Sequence, residues 1–313
     1  MIGAGAAGTM AAIFAATHGA HTTLVERTKD GGRKILISGG GRCNVLPLRL
    51  DESRFVTDSS PNTLRRIVRS WPLAEQRRFF EEEVGIPLVD EPELLKVFPA
   101  SHKARDVRDG LLALAVRRGV TLRMETRVTD LAREGDAWRV SLADAPALEA
   151  DAVILASGGL SVPATGSDGF GLRMARALGH TVHETYAALT PLTDEGSAFG
   201  ELAGISLPVT LTARAGARSA TASGGFLFTH RGYSGPAALN VSHVAVRSRA
   251  EGGAAAELRV NWTARSEQEW DATLRAQGNR TVGGVVRAAL PDRLATVLLA
   301  RAQVDPARSL AEL

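Results

Sequence analysis

Apolar runs alternate with helical repeats in the first half of the chain. An alanine-rich stretch over 6–16 has apolar residues at helical spacing, and Gly19 follows it where a helix commonly ends. The run 21–25 then predicts a strand that ends at Glu26. The continuous apolar run 152–156 predicts a further strand, buried on both faces. Apolar strands separated by helices are typical of an α/β fold with parallel strands.

The rest of the chain shows shorter repeats of both kinds. Helical spacing predicts helices over 62–68, 74–81, 107–118 and 171–178. Short apolar runs predict a hairpin from 87–89 and 94–98, and strands over 121–124, 127–131 and 137–142 that form a β-meander. From residue 189 onward, alternating runs at 207–212, 225–228 and 257–262 indicate antiparallel strands, followed by helices over 282–289 and 294–302.

The residues before the first helix carry a recognisable spacing. Gly3, Gly5 and Gly8 form a dinucleotide fingerprint, in which glycines allow a tight turn, a close approach of the pyrophosphate and close packing of the helix. Glu26 lies 23 residues after Gly3, where a carboxylate accepts hydrogen bonds from ribose hydroxyls. An acid at this position would repel a 2′-phosphate. The fingerprint therefore favours FAD or NAD over NADP.

A second glycine-rich stretch follows at 31–45, where five glycines surround one apolar run. Glycines let the backbone approach a bulky flat ligand that side chains would block. The segment GRKILISGGGRCN at 32–44 resembles the signature of a family of bacterial FAD-dependent oxidoreductases, sometimes labelled aminoacetone oxidase-like and related to a bile-acid enoyl reductase. Three further segments resemble motifs of that family, FPASHKA at 98–104, ASGG at 156–159 and THRGYSGP at 229–236.

The resemblance implies FAD as the cofactor. The expected cofactor-binding residues lie in the fingerprint, at the acidic strand end, in the glycine-rich stretch, in the meander and after the second apolar strand. They are Gly3, Gly5, Ala6, Ala7, Gly8, Glu26, Arg27, Arg33, Lys34, Ser38, Gly39, Gly40, Arg42, Cys43, Asn44, Val128, Ala156, Gly158 and Gly159. In the family, the backbone at the position of Val128 holds the adenine edge, and core packing is the alternative role for this residue.

The catalytic residues stay unidentified at this stage. His230 is the most tempting acid or base, although a histidine in a turn with two glycines and a proline more commonly satisfies backbone groups. Lys103 is interpreted as an exposed residue at a helix start. The histidines do not fall at metal-ligand spacings with cysteine or paired acids, so no metal site is predicted.

Composition narrows the class of protein. The net charge is +3 and the basic residues are mostly arginines at helical spacing, which favours solvated helix faces; no nucleic-acid partner is predicted. No apolar run approaches the roughly 20 residues that span a bilayer, and no membrane partner is predicted. The single cysteine, Cys43, excludes an internal disulfide and fits a reducing compartment, so a cytoplasmic location is predicted. The sequence does not indicate the oligomeric state.

The predicted fold class is α/β. It comprises a Rossmann-like FAD-binding domain with a β-meander at 1–184, an inserted antiparallel β lobe at 185–264 and a small helical segment at 265–313. The function predicted from the resemblance is that of an FAD-dependent oxidoreductase acting on an unidentified small molecule, with NADH or NADPH as the candidate electron donor. The alternative is a truncated, non-catalytic flavin-binding or interaction protein.

The alternative of a truncated protein is based on the sequence at both ends of the chain. Only Met1 and Ile2 precede Gly3, although the fingerprint normally follows a buried strand of about five apolar residues. Family members also continue with a GE-D segment that covers the flavin. We expect a misplaced start codon or a gene fragment, and we expect residues 1–313 alone to be poorly soluble and to bind FAD weakly.

Overall fold

The computed structural model describes residues 1–194, 196, 199–275 and 280–312. These residues divide into two units, Met1–His183 and Glu184–Leu313. The predicted segments 185–264 and 265–313 both lie within the second unit, and their separation into a lobe and a helical segment stays a prediction.

The first unit is a mixed α/β structure, as predicted. Its helices are α1 (Ala6–Thr17), α2 (Arg33–Ile37), α3 (Pro61–Arg69), α4 (Leu73–Arg78), α5 (Ala104–Arg117) and α6 (Phe170–Ala177), and a π-helical turn at Phe79–Val84 extends α4. Its strands are β1 (Thr23–Val25), β2 (Leu46–Pro47), β3 (Leu88–Glu91), β4 (Lys96–Pro99), β5 (Thr121–Arg123), β6 (Val128–Glu134), β7 (Ala137–Leu142) and β8 (Leu148–Ala150).

The parallel strands carry the fingerprint. β1 pairs in parallel with β5, and Ile2 forms parallel bridges to both Val25 and Leu155. Backbone hydrogen bonds of 2.8 Å join Gly3 N to Val25 O, and Ala156 N to Ile2 O. The residues just before Gly3 therefore lie between β1 and the segment that ends at Ala156.

The prediction for 152–156 is wrong. This segment makes one bridge, at Leu155, instead of a strand, and Ile154 is 44% exposed. A strand is buried on both faces when partners lie along its length and helices cover both sides. A single bridge to Ile2 supplies too little pairing, so a continuous apolar run remains extended and half-exposed.

Helices α1 and α5 cover the parallel strands. Ala12, Ile13 and Leu24 are at most 1% exposed and belong to one apolar core with Leu111 and Leu114 of α5. The predicted hairpin is confirmed as β3 and β4, which β2 extends to a three-stranded sheet in the order β2-β4-β3. The meander is confirmed in part: the predicted strands 127–131 and 137–142 are β6 and β7 of the antiparallel sheet β6-β7-β8. The prediction that 121–124 belongs to it is wrong, because this segment is β5, which pairs in parallel with β1.

The second unit is built on a five-stranded antiparallel sheet. Its strands are β9 (Leu192–Thr193), β10 (Ser206–Ala215), β11 (Arg218–Thr229), β12 (Gly232–Ser234) and β13 (Glu257–Asn261), in the order β13-β10-β11-β12-β9. Its helices are α7 (Pro236–Ala250), α8 (Glu267–Leu274), α9 (Val282–Arg287) and α10 (Asp292–Arg301). Alternate residues of β10 and β11 form a core with α7 and α10, in which Leu211, Val241 and Leu294 are fully buried. The strands and helices predicted for this part of the chain are present.

Candidate dinucleotide-binding site

A cavity of about 650 Å³ opens at the carboxyl ends of the parallel strands in the first unit. All the residues that line it belong to this unit. Cavities of roughly 300 to 1,000 Å³ are typical of sites for small molecules and cofactors. Its wall includes the fingerprint turn, the end of β1, helix α2, the start of β6 and the loop that follows Ala156.

The three fingerprint glycines have different surroundings. Gly3 has φ +102°, and a Cβ there would lie 2.7 Å from the carbonyl oxygen of Ala156. A Cβ at Gly8 would overlap the carbonyl oxygen of Gly3, so this glycine lets α1 pack directly on the turn. Gly5 lies at the N-cap of α1 and faces open space, with no atom within 4 Å of its ideal Cβ position. The empty space therefore lies at the positive end of a helix, where an anionic group is stabilised.

The carboxylate of Glu26 holds the fingerprint turn against the end of β1 through hydrogen bonds. Its Oε2 accepts a hydrogen bond from Ala4 N at 2.8 Å, while Oε1 accepts from the backbone N and Oγ1 of Thr28, each at 2.8 Å. A carboxylate has about four acceptor positions, so these bonds leave room for roughly one more. Glu26 lines the cavity and can therefore accept a ligand hydroxyl while it holds the turn.

Cationic side chains on the cavity wall are tied to the loop after Ala156. Arg27 Nη1 lies 2.7 Å from Asp168 Oδ2, and Lys34 Nζ donates to Ser161 O and Ser167 Oγ at 2.7 Å each. The hydrogen bond from Arg27 lowers the pKa of Asp168 below its usual value, so this carboxylate stays charged at neutral pH. Positive groups around an open space suit an anionic ligand.

The glycine-rich stretch forms α2 and a tight turn at Ser38–Gly41. Gly39 and Gly40 are left-handed, with φ of +55° and +67°. Arg42 points its guanidinium over the ring of Phe98, at 4.3 Å from the centroid, and its Nη1 lies 2.8 Å from Glu91 Oε1. Arg42 thus ties the turn to the small sheet β2-β4-β3.

Cys43 is a buried thiol on the cavity wall, 6% exposed, with φ +61°. Burial raises the pKa of this thiol above its usual value, so it stays protonated at neutral pH.

We expect Cys43→Ser to keep flavin binding and turnover within a few-fold and to cost about 1 kcal/mol in the free energy of unfolding, because a hydroxyl is harder to bury than a thiol. Complete loss of turnover with flavin still bound would contradict a packing role for Cys43; a flavin titration and an activity assay on the same preparation decide the matter.

Most of the predicted cofactor-binding residues meet at this cavity. Those that line it are Gly3, Gly5, Ala6, Ala7, Glu26, Arg27, Arg33, Lys34, Ser38, Cys43, Asn44, Val128, Ala156 and Gly158. The predicted residues outside the lining are Gly8, Gly39, Gly40, Arg42 and Gly159. Of these, Gly8 packs against Gly3 of the fingerprint turn, and Arg42 pairs with Glu91 of β3. The cofactor-binding role of the whole set stays a prediction.

Sequence reasoning missed part of the lining. The missed polar residues are Thr28, Thr126, Arg127, Thr129, Ser157, Thr165, Ser167, Asp168 and Arg173, and the missed apolar ones include Met10, Ile35, Val45, Phe80, Val107 and Leu111. The segment 165–169 was available as a signal for a loop, because Gly166 and Gly169 flank a serine and an aspartate there. The apolar residues have no signal in the sequence that separates them from ordinary core.

The two remaining candidates are not among the residues that line this cavity. His230 is exposed in the turn between β11 and β12, and Lys103 is exposed at the N-cap of α5. Among the residues that the structure describes, no three His, Cys, Asp or Glu side chains are grouped to hold a metal ion. Within the same residues, no helix is both long and apolar enough to cross a membrane.

The fold and the cavity define a Rossmann-type dinucleotide-binding protein. The chain belongs to the family described as HI0933-like protein Rossmann domain, whose model matches residues 1–297. This confirms the predicted fold class.

Named relatives fall into two kinds. The ribosomal RNA dihydrouridine synthase of Escherichia coli is 31% identical over 247 residues, covering 77% of this chain and 59% of the relative. The protein of the same name from Haemophilus influenzae is 31% identical over 255 residues, with 78% and 60% covered. The 3-dehydro-bile acid delta(4,6)-reductase of Clostridium scindens is 32% identical over 250 residues, with 78% and 60% covered. The chain thus spans about three fifths of the length of these relatives, and the predicted relationship to a bile-acid reductase is confirmed.

The prediction from composition that the protein has no nucleic-acid partner is wrong. Two of the relatives carry ribosomal RNA in their names. A near-neutral net charge of +3 did not reveal such a relationship, because charge summed over a whole chain averages over local surfaces.

Proposed function

We propose that this chain is the FAD-binding portion of a flavin-dependent oxidoreductase. The observation that carries the proposal is the empty space at Gly5, which lies at the N-terminus of α1 within a cavity that Glu26 also lines. This arrangement suits a dinucleotide, because the helix end stabilises a pyrophosphate and the carboxylate accepts a ribose hydroxyl. Membership of the Rossmann family and the reductase among the relatives support the same assignment.

The residues of the chain would divide the tasks of holding the cofactor. Gly5 leaves space for the phosphates, while Arg33 and Lys34 supply positive charge on the neighbouring wall. Glu26 would hold a ribose, and Val128 would lie against the adenine. When bound, FAD supplies the redox chemistry, and the protein contributes position, charge and exclusion of water.

An absorbance spectrum of the purified protein tests this proposal. Because Ile2 pairs with both Val25 and Leu155 ahead of the fingerprint turn, we expect, in place of the weak binding expected from the sequence, flavin bands after reconstitution with FAD and washing, at a stoichiometry near one flavin per chain. Anaerobic titration with NADH and with NADPH then tests the predicted electron donor through bleaching of those bands. Protein that is folded by circular dichroism and retains no FAD at micromolar concentrations would contradict the proposal.

Ribosomal RNA is the substrate class that we favour for the whole protein. Two relatives named as ribosomal RNA dihydrouridine synthases support it, and a basic isoelectric point of 9.4 is compatible with a phosphate-rich partner. The test is incubation of the FAD-loaded protein with ribosomal RNA and a reduced nicotinamide, followed by mass spectrometry for dihydrouridine. A parallel incubation with an unsaturated 3-oxo bile acid serves as the comparison. Turnover of the steroid with no change in the RNA would refute this substrate class and favour the reductase activity.

A further inference from the structure

Arg108 is the only charged side chain that is buried among the residues described, at 6% exposed. It lies on α5, between Val107 and Leu111 in the apolar core, but it is absent from the cavity wall. Burying a guanidinium costs free energy that an apolar residue of similar size avoids. A role in core packing alone therefore gives no reason for a charge at this position.

The guanidinium of Arg108 meets the turn that precedes α2. Its Nη1 donates to the carbonyl oxygen of Asp30 at 3.2 Å and lies 3.9 Å from the Asp30 carboxylate, while its Nε donates to Asp109. The other carboxylate oxygen of Asp30 accepts from Nε of Arg33 at 3.0 Å. Arg33 lines the cavity. A continuous set of contacts thus runs from the core through Asp30 to the wall of the site.

The side chain of Arg108 also packs against Gly32. Gly32 is left-handed, with φ +56°, and a Cβ there would overlap Cγ of Arg108. The amide of Gly32 donates to the carbonyl oxygen of Ala4 at 2.8 Å, and Ala4 lies between two glycines of the fingerprint. The turn at 30–32 therefore joins α2 to the fingerprint, and Arg108 supports this turn through both its charge and its stem.

We propose that Arg108 is a positioning residue for the cofactor site. It holds the turn at 30–32 so that Arg33 and the fingerprint keep the geometry that binds a dinucleotide. Arg108 does not touch the ligand and acts through Asp30 and Gly32. The identity of the ligand rests on the function proposed above, whereas the effect of Arg108 on the turn does not.

Two variants and a matched control test the proposal. Arg108→Met removes the charge and keeps most of the stem, Arg108→Lys keeps the charge, and Arg105→Met changes an exposed arginine on the same helix. At a temperature where every variant is folded, we expect Arg108→Met to weaken FAD binding about tenfold, because a pre-organised site loses its support. We expect Arg108→Lys to restore part of the affinity and Arg105→Met to leave it unchanged.

A double-mutant cycle with Arg33→Met separates positioning from general stability. If Arg108 acts through Arg33, the loss caused by Arg108→Met is much smaller once Arg33 is methionine, because residues that act through one another are not additive. Losses that add fully, or a lower unfolding midpoint with unchanged affinity, would overturn the proposal.

Hydrogen exchange at the Gly32 amide provides a measurement without ligand. We expect faster exchange at this amide in Arg108→Met than in the wild type or Arg105→Met, because its bond to Ala4 is no longer supported. Unchanged exchange at Gly32 overturns the proposal even if FAD binds. Absence of FAD binding by the wild type refutes the proposed function instead, and the exchange result then decides the role of Arg108 alone.

Discussion

Substitution of Gly8 by alanine is expected to abolish dinucleotide binding and to lower the free energy of unfolding of the first unit by about 3 kcal/mol, at the upper end of overpacking costs. The added methyl group would overlap the carbonyl oxygen of Gly3. The backbone fixes the position of the methyl carbon, and the carbonyl group is part of the backbone, so neither can rotate away and α1 must move off the fingerprint turn. Movement of α1 shifts the amides that would meet the pyrophosphate. Chemical denaturation followed by circular dichroism, together with an FAD titration, measures both effects.

Gly5→Ala is the matched control for Gly8→Ala. Gly5 has φ −77° and ψ −176°, which alanine adopts without strain, and no atom lies near its Cβ position. The variant should fold with wild-type stability and still bind FAD roughly tenfold or more weakly, because the methyl group occupies space meant for phosphate. Equal stability of the Gly8→Ala and Gly5→Ala proteins would show that contact between α1 and the turn is not needed.

Reversal of the charge at Glu26 is expected to weaken FAD binding by roughly a hundredfold, since hydrogen bonds to charged groups contribute about 1.5 to 3 kcal/mol each. Arginine cannot accept the hydrogen bonds that Glu26 accepts from Ala4 and Thr28. The fingerprint turn thus loses its tie to β1, and a ribose loses its acceptor. Fluorescence titration with FAD measures the affinity of Glu26→Arg.

Glu26→Gln separates the two contributions of this residue. Glutamine keeps one acceptor oxygen and loses the charge, so we expect an intermediate affinity. Unchanged affinity in the Glu26→Arg protein would show that this carboxylate does not hold the dinucleotide. A wild-type affinity in Glu26→Gln with a loss in Glu26→Arg would show that an acceptor oxygen at this position is needed and its negative charge is not.

Local signals in the sequence predicted much of the fold. The spacing of Gly3, Gly5 and Gly8 placed the start of α1, and alternation along β10 and β11 placed the second sheet, because both patterns depend on neighbours close in sequence. The run 152–156 failed because burial depends on partners that composition does not reveal. Its bridge to Ile2 is set by tertiary pairing alone.

The candidate site was predictable where a residue type is dictated by the backbone or by a fixed spacing. Gly5 and Glu26 belong to this group. Asp168 was missed because its pair with Arg27 is a tertiary contact between residues far apart in the sequence. Arg108 gave no signal either, since an arginine in an amphipathic helix is normally exposed.

The bridge between Ile2 and Leu155 sets an order of events during synthesis. Ile2 must pair with Val25, which is nearby, and with Leu155, which is 130 residues farther along the chain than Val25. At about 5 to 20 residues per second, roughly 7 to 26 s pass between the emergence of those two partners from the ribosome. During this interval the fingerprint turn has one neighbour in place of two, and Ile2 and Val25 present an apolar edge to other proteins. A nascent chain halted before residue 155 should therefore bind a holdase chaperone, whereas a chain halted after α6 should release it.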